Sequence, residues 1–170
     1  MMNQRQKPIT VPGGQLTSLL LLFGVTAVAA AVGAIASVNA PDFYTMLAKP
    51  TWAPSAGVFG PIWTMLYLLM TFAAWLVWQK AGLNAAKGPL ALYLLQLALN
   101  ALWTWLFFRW RLGGWALMEI ILLWLILLLT LVSFWRMRVL AGVLLLPYFM
   151  WVTFATALTA KIWRLNPGVL

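Results

Sequence analysis

Five long apolar runs, separated by short polar or proline-marked breaks, dominate this chain. They cover about residues 16–38, 61–79, 89–110, 113–135 and 139–162. Each is close to the roughly 20 residues that a helix needs to cross a bilayer's hydrocarbon core. In lipid the backbone must satisfy its own hydrogen bonds, which leaves helices or closed barrels, and runs this long are helical. The pattern therefore predicts an all-α integral membrane protein: a five-transmembrane-helix bundle with an aromatic, Pro-rich first loop. A single membrane domain spans 16–166, between a polar N-terminal tail (1–15) and a short C-terminal tail (167–170). Short turns make consecutive helices antiparallel neighbours. Pro61 and Pro89 suit first helical turns, where a missing donor costs little. Pro147 lies inside the last run and predicts a kink.

The first run is rich in small residues, among them Gly24, Ala27, Ala30, Gly33 and Ala34. Such residues let helix backbones approach closely in a membrane. Val38-Asn39-Ala40 also resembles a signal-peptide cleavage site, although the apolar stretch before it is longer than a usual signal core. Residues 39–60 form the one substantial loop, carrying Pro41, Pro50 and Pro54 beside Phe43, Tyr44, Trp52 and Phe59. The prolines predict an irregular backbone. Its aromatics fit two readings, a lid over the bundle or an interfacial loop lying among headgroups.

Composition supports lipid as the solvent. Of 170 residues, 65% are hydrophobic and 8% charged, with a mean hydropathy of +0.95; a soluble domain carries about 25% charged residues. The net charge of +9 would raise nucleic-acid binding in a soluble protein. Here the bases cap apolar runs, where they anchor helices to headgroups, so no nucleic-acid partner is expected. Six of them fall on one side (Arg5, Lys7, Lys80, Lys87, Arg136, Arg138) and five on the other (Lys49, Arg109, Arg111, Lys161, Arg164), a balance that leaves orientation open. The chain contains no Cys and no His. That removes thiolate chemistry, the commonest metal and haem ligands and the usual general base. Its two acids, Asp42 and Glu119, lie in different segments, so no metal site is expected. What abounds is Trp, with 12 copies.

Candidate chemistry follows from helical spacing. Tyr93, Gln96, Asn100, Trp103 and Phe107 recur at intervals of three and four and share one face of the third run. Amides are costly in hydrocarbon unless paired, so this face looks into the bundle. There it either joins helices by hydrogen bonds or lines a pocket, with amides orienting a ligand and rings stacking on it. Tyr148, Trp151, Ala155 and Thr159 share a face of the last run, and Trp63, Tyr67 and Met70 share one in the second. Alternating helix direction brings these aromatic ends and the first loop to one side of the membrane. Glu119, about two turns into the fourth run, is placed to pair with Arg109 or Arg111 across a short turn, a structural ion pair.

Four motifs, in order, resemble the TspO/MBR family, which comprises bacterial tryptophan-rich sensory proteins and the mitochondrial translocator protein, or peripheral benzodiazepine receptor. They are Lys49-Pro50-Thr51-Trp52-Ala53-Pro54 with Phe59-Gly60-Pro61-Ile62-Trp63-Thr64-Met65-Leu66-Tyr67; the third-run stretch from Tyr93 to Trp103; Gly114-Trp115-Ala116-Leu117-Met118-Glu119; and Pro147-Tyr148-Phe149-Met150-Trp151. The resemblance covers about residues 16–166. It implies a five-helix bundle, commonly a homodimer, with a cavity under the first loop that takes porphyrins and synthetic translocator-protein ligands. By motif position Trp52, Trp63, Asn100, Trp103, Trp151 and Ala155 would be pocket residues; Tyr67 and Gln96 join them from helical spacing. Trp63 and Trp151 would be the photochemical residues if the chain degrades porphyrin in light.

Departures qualify the resemblance. Ser55 stands where a second proline is frequent, and Thr159 where an Asn is usual. Ala160 replaces the Tyr of the C-terminal sterol motif, although Val38, Tyr44 and Lys49 satisfy a looser sterol pattern. The leading expectation is a membrane-embedded sensor or transporter that binds a protoporphyrin-type tetrapyrrole as ligand, with no cofactor. A light- or oxygen-dependent porphyrin-degrading enzyme, and a protein interacting structurally with lipid or sterol, are the alternatives.

Overall fold

The computed structural model describes residues 12–170; the start of the polar tail, with Arg5 and Lys7, lies outside the described residues. Five helices follow in order: α1 Pro12–Ala36, α2 Ala40–Met46, α3 Phe59–Thr104, α4 Gly113–Met137 and α5 Val139–Leu165. A 3₁₀ turn, Ala56–Val58, precedes α3, and a π-helical turn, Trp105–Arg109, ends it. The protein is an integral, multi-pass membrane helical bundle. Among the described residues, four helical stretches are long and apolar enough to cross a membrane, the second of them Ala56–Arg109.

That second stretch holds both expected runs, 61–79 and 89–110, as two helical halves joined at a sharp kink. At about 1.5 Å per residue its 54 residues would far exceed a bilayer if straight. One residue interrupts it: Gly82 has φ 70° and ψ 165°. This left-handed conformation is accessible to glycine without a Cβ clash. The chain folds back there. Tyr67 pairs with Asn100 and Met70 with Gln96 across the two halves of α3, the antiparallel register a reversal near Gly82 requires. Pro89 thus sits inside α3, early in its returning half.

The loop 39–60 also differs from expectation, because α2 gives it a short helix. Pro41 occupies that helix's first turn, where proline lacks a hydrogen bond to lose. Lys49, read in the sequence as a headgroup anchor, instead turns back on α2. Its Nζ donates to the carbonyls of Tyr44 at 2.7 Å, Leu47 at 2.9 Å and Thr45 at 3.3 Å. It thereby satisfies carbonyls that a helix C-terminus leaves orphaned.

The core lies where α3, α4 and α5 meet, with Leu66, Met70, Tyr93, Leu123, Leu127, Phe134, Leu145 and Tyr148 almost wholly buried. α1 packs against α3 and the π turn through a narrow stripe, Ser18, Leu22, Thr26, Gly33 and Ala36. These positions share one helical face; the other faces carry exposed Leu20, Phe23, Val28 and Ile35, suited to lipid. A buried polar cluster pins this stripe. Thr26 Oγ1 hydrogen-bonds with Tyr93 Oη and accepts from Thr71 Oγ1 at 3.1 Å. One helix is thus joined to both halves of α3.

Close approach at the tight α4–α5 turn depends on Gly142. A Cβ built there would fall 2.5 Å from Trp135 Cε3 and 2.9 Å from its Cβ. Gly142→Ala must push either the ring or the helix aside, an overpacking that costs about 1–3 kcal/mol. A lower thermal midpoint in detergent is the expected result, with unchanged helix content by circular dichroism.

Candidate functional site

A cavity of about 430 Å³ lies between α1, both halves of α3 and α5, roofed by α2 and the chain leading into α3. Its volume falls in the range of small-molecule sites. α1 contributes Ala30, Gly33, Ala34 and Ser37, small residues that leave the space open. The roof contributes Ala40, Pro41, Tyr44, Ala56 and Phe59. Tyr44 is buried, and its Oη donates to the Pro54 carbonyl at 3.0 Å. Burial raises this phenol above its ordinary value, so it remains a neutral donor at physiological pH.

Rings make up much of the wall. Trp63 lies 5.7 Å from Tyr67 and 6.1 Å from Tyr148, centroid to centroid. Trp103 stacks on Phe107 at 5.4 Å with 17° between planes. Phe59 meets Trp151 edge-on at 5.9 Å and Tyr44 at 5.3 Å, so the roof and α5 are linked through one aromatic chain. Such pairs add about 0.5–1.5 kcal/mol beyond the area they bury.

The polar part of the wall is a three-residue relay. Tyr67 Oη donates to Asn100 Oδ1 at 2.7 Å, and Asn100 Nδ2 donates to Tyr148 Oη at 3.1 Å. Asn100 therefore ties both halves of α3 to α5 while bordering the cavity. The two readings left open for this residue, a helix joint or a pocket wall, describe one arrangement. Two buried donors nearby, the indole Nε1 atoms of Trp103 and Trp151, have no hydrogen-bond partner among the described residues.

Of the residues expected at the site, Trp63, Tyr67, Asn100, Trp103, Trp151 and Ala155 border this cavity together. Two do not. Gln96 is fully buried one turn away, and its Nε2 lies 3.7 Å from Met70 Sδ. It shares the face of Asn100 but sits deeper, where the helices close together. Trp52 is half-exposed in the loop and packs edge-on against Phe154 at 5.7 Å, outside the cavity.

The expected ion pair also needs correction. Both carboxylate oxygens of Glu119 are buried without a hydrogen-bond partner, and no ion pair to Arg109 or Arg111 forms among the described residues. Glu119 is turned into the bundle, whereas both arginines are exposed at its edge. Arg111 instead sets its guanidinium over the Phe43 ring, 4.7 Å from the centroid. The looser sterol pattern is likewise divided: Tyr44 and Lys49 serve the roof's own architecture, and Val38 is exposed outside the cavity.

Sequence reasoning missed Asn166. Its Oδ1 accepts from Ala48 N at 2.9 Å, while its Nδ2 donates to Ala48 O at 2.9 Å and Ile162 O at 2.7 Å. The end of α5 thus clamps the backbone of the roof loop. An Asn after an apolar run reads as a helix terminator; its partner stands 118 residues away, and no local pattern could reveal it.

Comparison with known proteins agrees with this architecture. The profile of the TspO/MBR family matches residues 19–164. Protein CrtK of Rhodobacter capsulatus is 42% identical over 155 residues, covering 90% of this chain and 95% of the relative. The tryptophan-rich sensory protein of Cereibacter sphaeroides is 43% identical over 141 residues, 81% of this chain and 87% of its own. The human translocator protein is 41% identical over 128 residues, covering 74% and 76%. Five helices, an aromatic cavity under a proline-bearing loop and these matches lead to one conclusion: the chain belongs to the TspO/MBR family.

Proposed function

We propose that this protein binds a flat, largely apolar ligand of the tetrapyrrole class inside the membrane and serves as its sensor or transporter. The observation that carries the reading is the roofed aromatic cavity, with Trp63, Trp103 and Trp151 on its walls and Tyr67 and Asn100 bordering it. Broad rings offer stacking area to a flat guest, and a few polar groups fix its orientation. Neither His nor Cys is present in the chain. The usual axial ligands of a haem iron are therefore missing, and a metal-free porphyrin is the more natural guest.

Titrating protoporphyrin IX against intrinsic Trp fluorescence tests the reading, with an unrelated Trp-rich bundle as control. Saturable quenching is expected in this protein alone. Trp103→Leu and Trp151→Leu should each weaken binding by about tenfold, the loss of one well-packed aromatic wall at about 1.4 kcal/mol. Equal quenching in the control bundle, or unaltered affinity in both variants, would defeat the pocket.

A further inference from the structure

A second pocket, of about 340 Å³, opens on the outer side of the junction between α1 and α2. Ile35, Asn39, Phe43, Trp105, Arg109 and Arg111 border it. We propose that it binds the headgroup phosphate of an anionic phospholipid, held by Arg109 and Arg111, with an acyl chain lying down the outer face of α1.

The backbone at this corner is unusual, and both irregularities bear on the arginines. The end of α3 widens into a π turn, closed by Trp110 N to Trp105 O at 2.8 Å and Leu112 N to Leu106 O at 2.9 Å. Arg111 follows with φ 57°, the only positive φ among the described non-glycine residues. Glycine is the default at such a helix-ending position, because a side chain there is strained. An arginine held in that conformation sends its guanidinium across Phe43 and into the same pocket as Arg109.

Neither guanidinium forms an ion pair among the described residues. Asp42, beside Phe43 on α2, is exposed and forms no ion pair among the described residues, and Glu119 is buried within α4. Two uncompensated guanidinium groups suit a phosphate, whose oxygens accept paired charge-assisted hydrogen bonds. The remaining wall selects a lipid over a free anion. Ile35 borders the pocket, and Val32 and Val28 continue below it on the same face of α1, 39% and 65% exposed. A basic recess that opens onto an apolar helix face at the end of a span matches an anionic lipid.

Native mass spectrometry of the full chain in an uncharged detergent tests the assignment, with dioleoyl phosphatidylglycerol, dioleoyl phosphatidylcholine and inorganic phosphate as separate probes. Phosphatidylglycerol is expected to bind about 25-fold more tightly than phosphatidylcholine, from about a fivefold contribution per arginine. Arg109→Gln/Arg111→Gln should abolish the preference, whereas Lys80→Gln/Lys87→Gln, at the opposite end of the bundle, should keep it. Arg109→Gln alone should lose about fivefold, which keeps the test decisive if the double variant fails to fold. Equal binding of the two lipids, a preference surviving loss of both arginines, or an equal loss in the lysine variant would overturn the site. Inorganic phosphate binding as tightly as the lipid would overturn the lipid assignment.

Discussion

Asn166→Ala is expected to lower stability by about 2–4 kcal/mol and to speed ligand release by about tenfold or more. The arithmetic rests on three hydrogen bonds, two of them to the backbone of Ala48 in the roof loop. Each intramolecular bond contributes about 0.5–1.5 kcal/mol, and a donor or acceptor left buried without a partner costs more. The truncated side chain would leave the Ala48 N–H and C=O unpaired. The roof would then be held to the bundle chiefly by its aromatic packing, Phe59 on Trp151 and Trp52 on Phe154. About 1.4 kcal/mol lost from the closed roof is enough for a tenfold faster exit. Thermal unfolding in detergent and stopped-flow release of protoporphyrin measure the two effects. Asn166→Asp keeps the acceptor for Ala48 N but turns a carboxylate oxygen against the Ala48 and Ile162 carbonyls, so it should lose at least as much as Asn166→Ala.

Asn100→Leu is expected to cost about 1–3 kcal/mol of stability and to weaken ligand binding by about tenfold. Leucine has as many side-chain heavy atoms as asparagine and a similar branched outline but neither donor nor acceptor, so the relay is lost while the site stays filled. Tyr67 Oη loses its acceptor and Tyr148 Oη its donor, both among apolar side chains. Orphaned buried hydroxyls cost about 1–3 kcal/mol, although hydrogen bonds between membrane helices are commonly worth less, about 0.6–2 kcal/mol. Tyr67→Phe removes one orphan in advance. The double variant Asn100→Leu/Tyr67→Phe should therefore lose less than the sum of its singles, the coupling that a shared network produces. Strict additivity would show that the relay carries no joint energy.

The bundle and most of the cavity were legible in the sequence for a physical reason. Lipid forces backbone groups into helices, and the spacing of Asn100 and Trp103, or of Trp151 and Ala155, sets which side chains share a face. Depth is a different matter. Gln96 lies on the same face as Asn100, yet it falls where the halves of α3 close together, and hydropathy does not report where helices diverge. α1 looked like a packing helix because of its small residues. Those same residues, Ala30, Gly33 and Ala34, leave the empty space of the cavity. The clamp at Asn166 depended on a tertiary partner that no local pattern specifies, whereas Lys49 caps α2 through carbonyls only two to five residues away. Glu119 failed as an ion-pair partner because nearness along the chain does not set the direction in which a side chain points. Arg109 and Arg111, read as partners for that acid, instead border a pocket of their own.

The central claim is that a flat ligand sits under the aromatic roof, between α1, α3 and α5. The most direct measurement is an experimental structure of the protein with protoporphyrin IX bound. The predicted result places the ring within the cavity bordered by Trp63, Trp103 and Trp151, with a polar edge at Tyr67 and Asn100 and the roof closed through Asn166. A ring bound only on the lipid-facing surface, with the cavity empty, would contradict it.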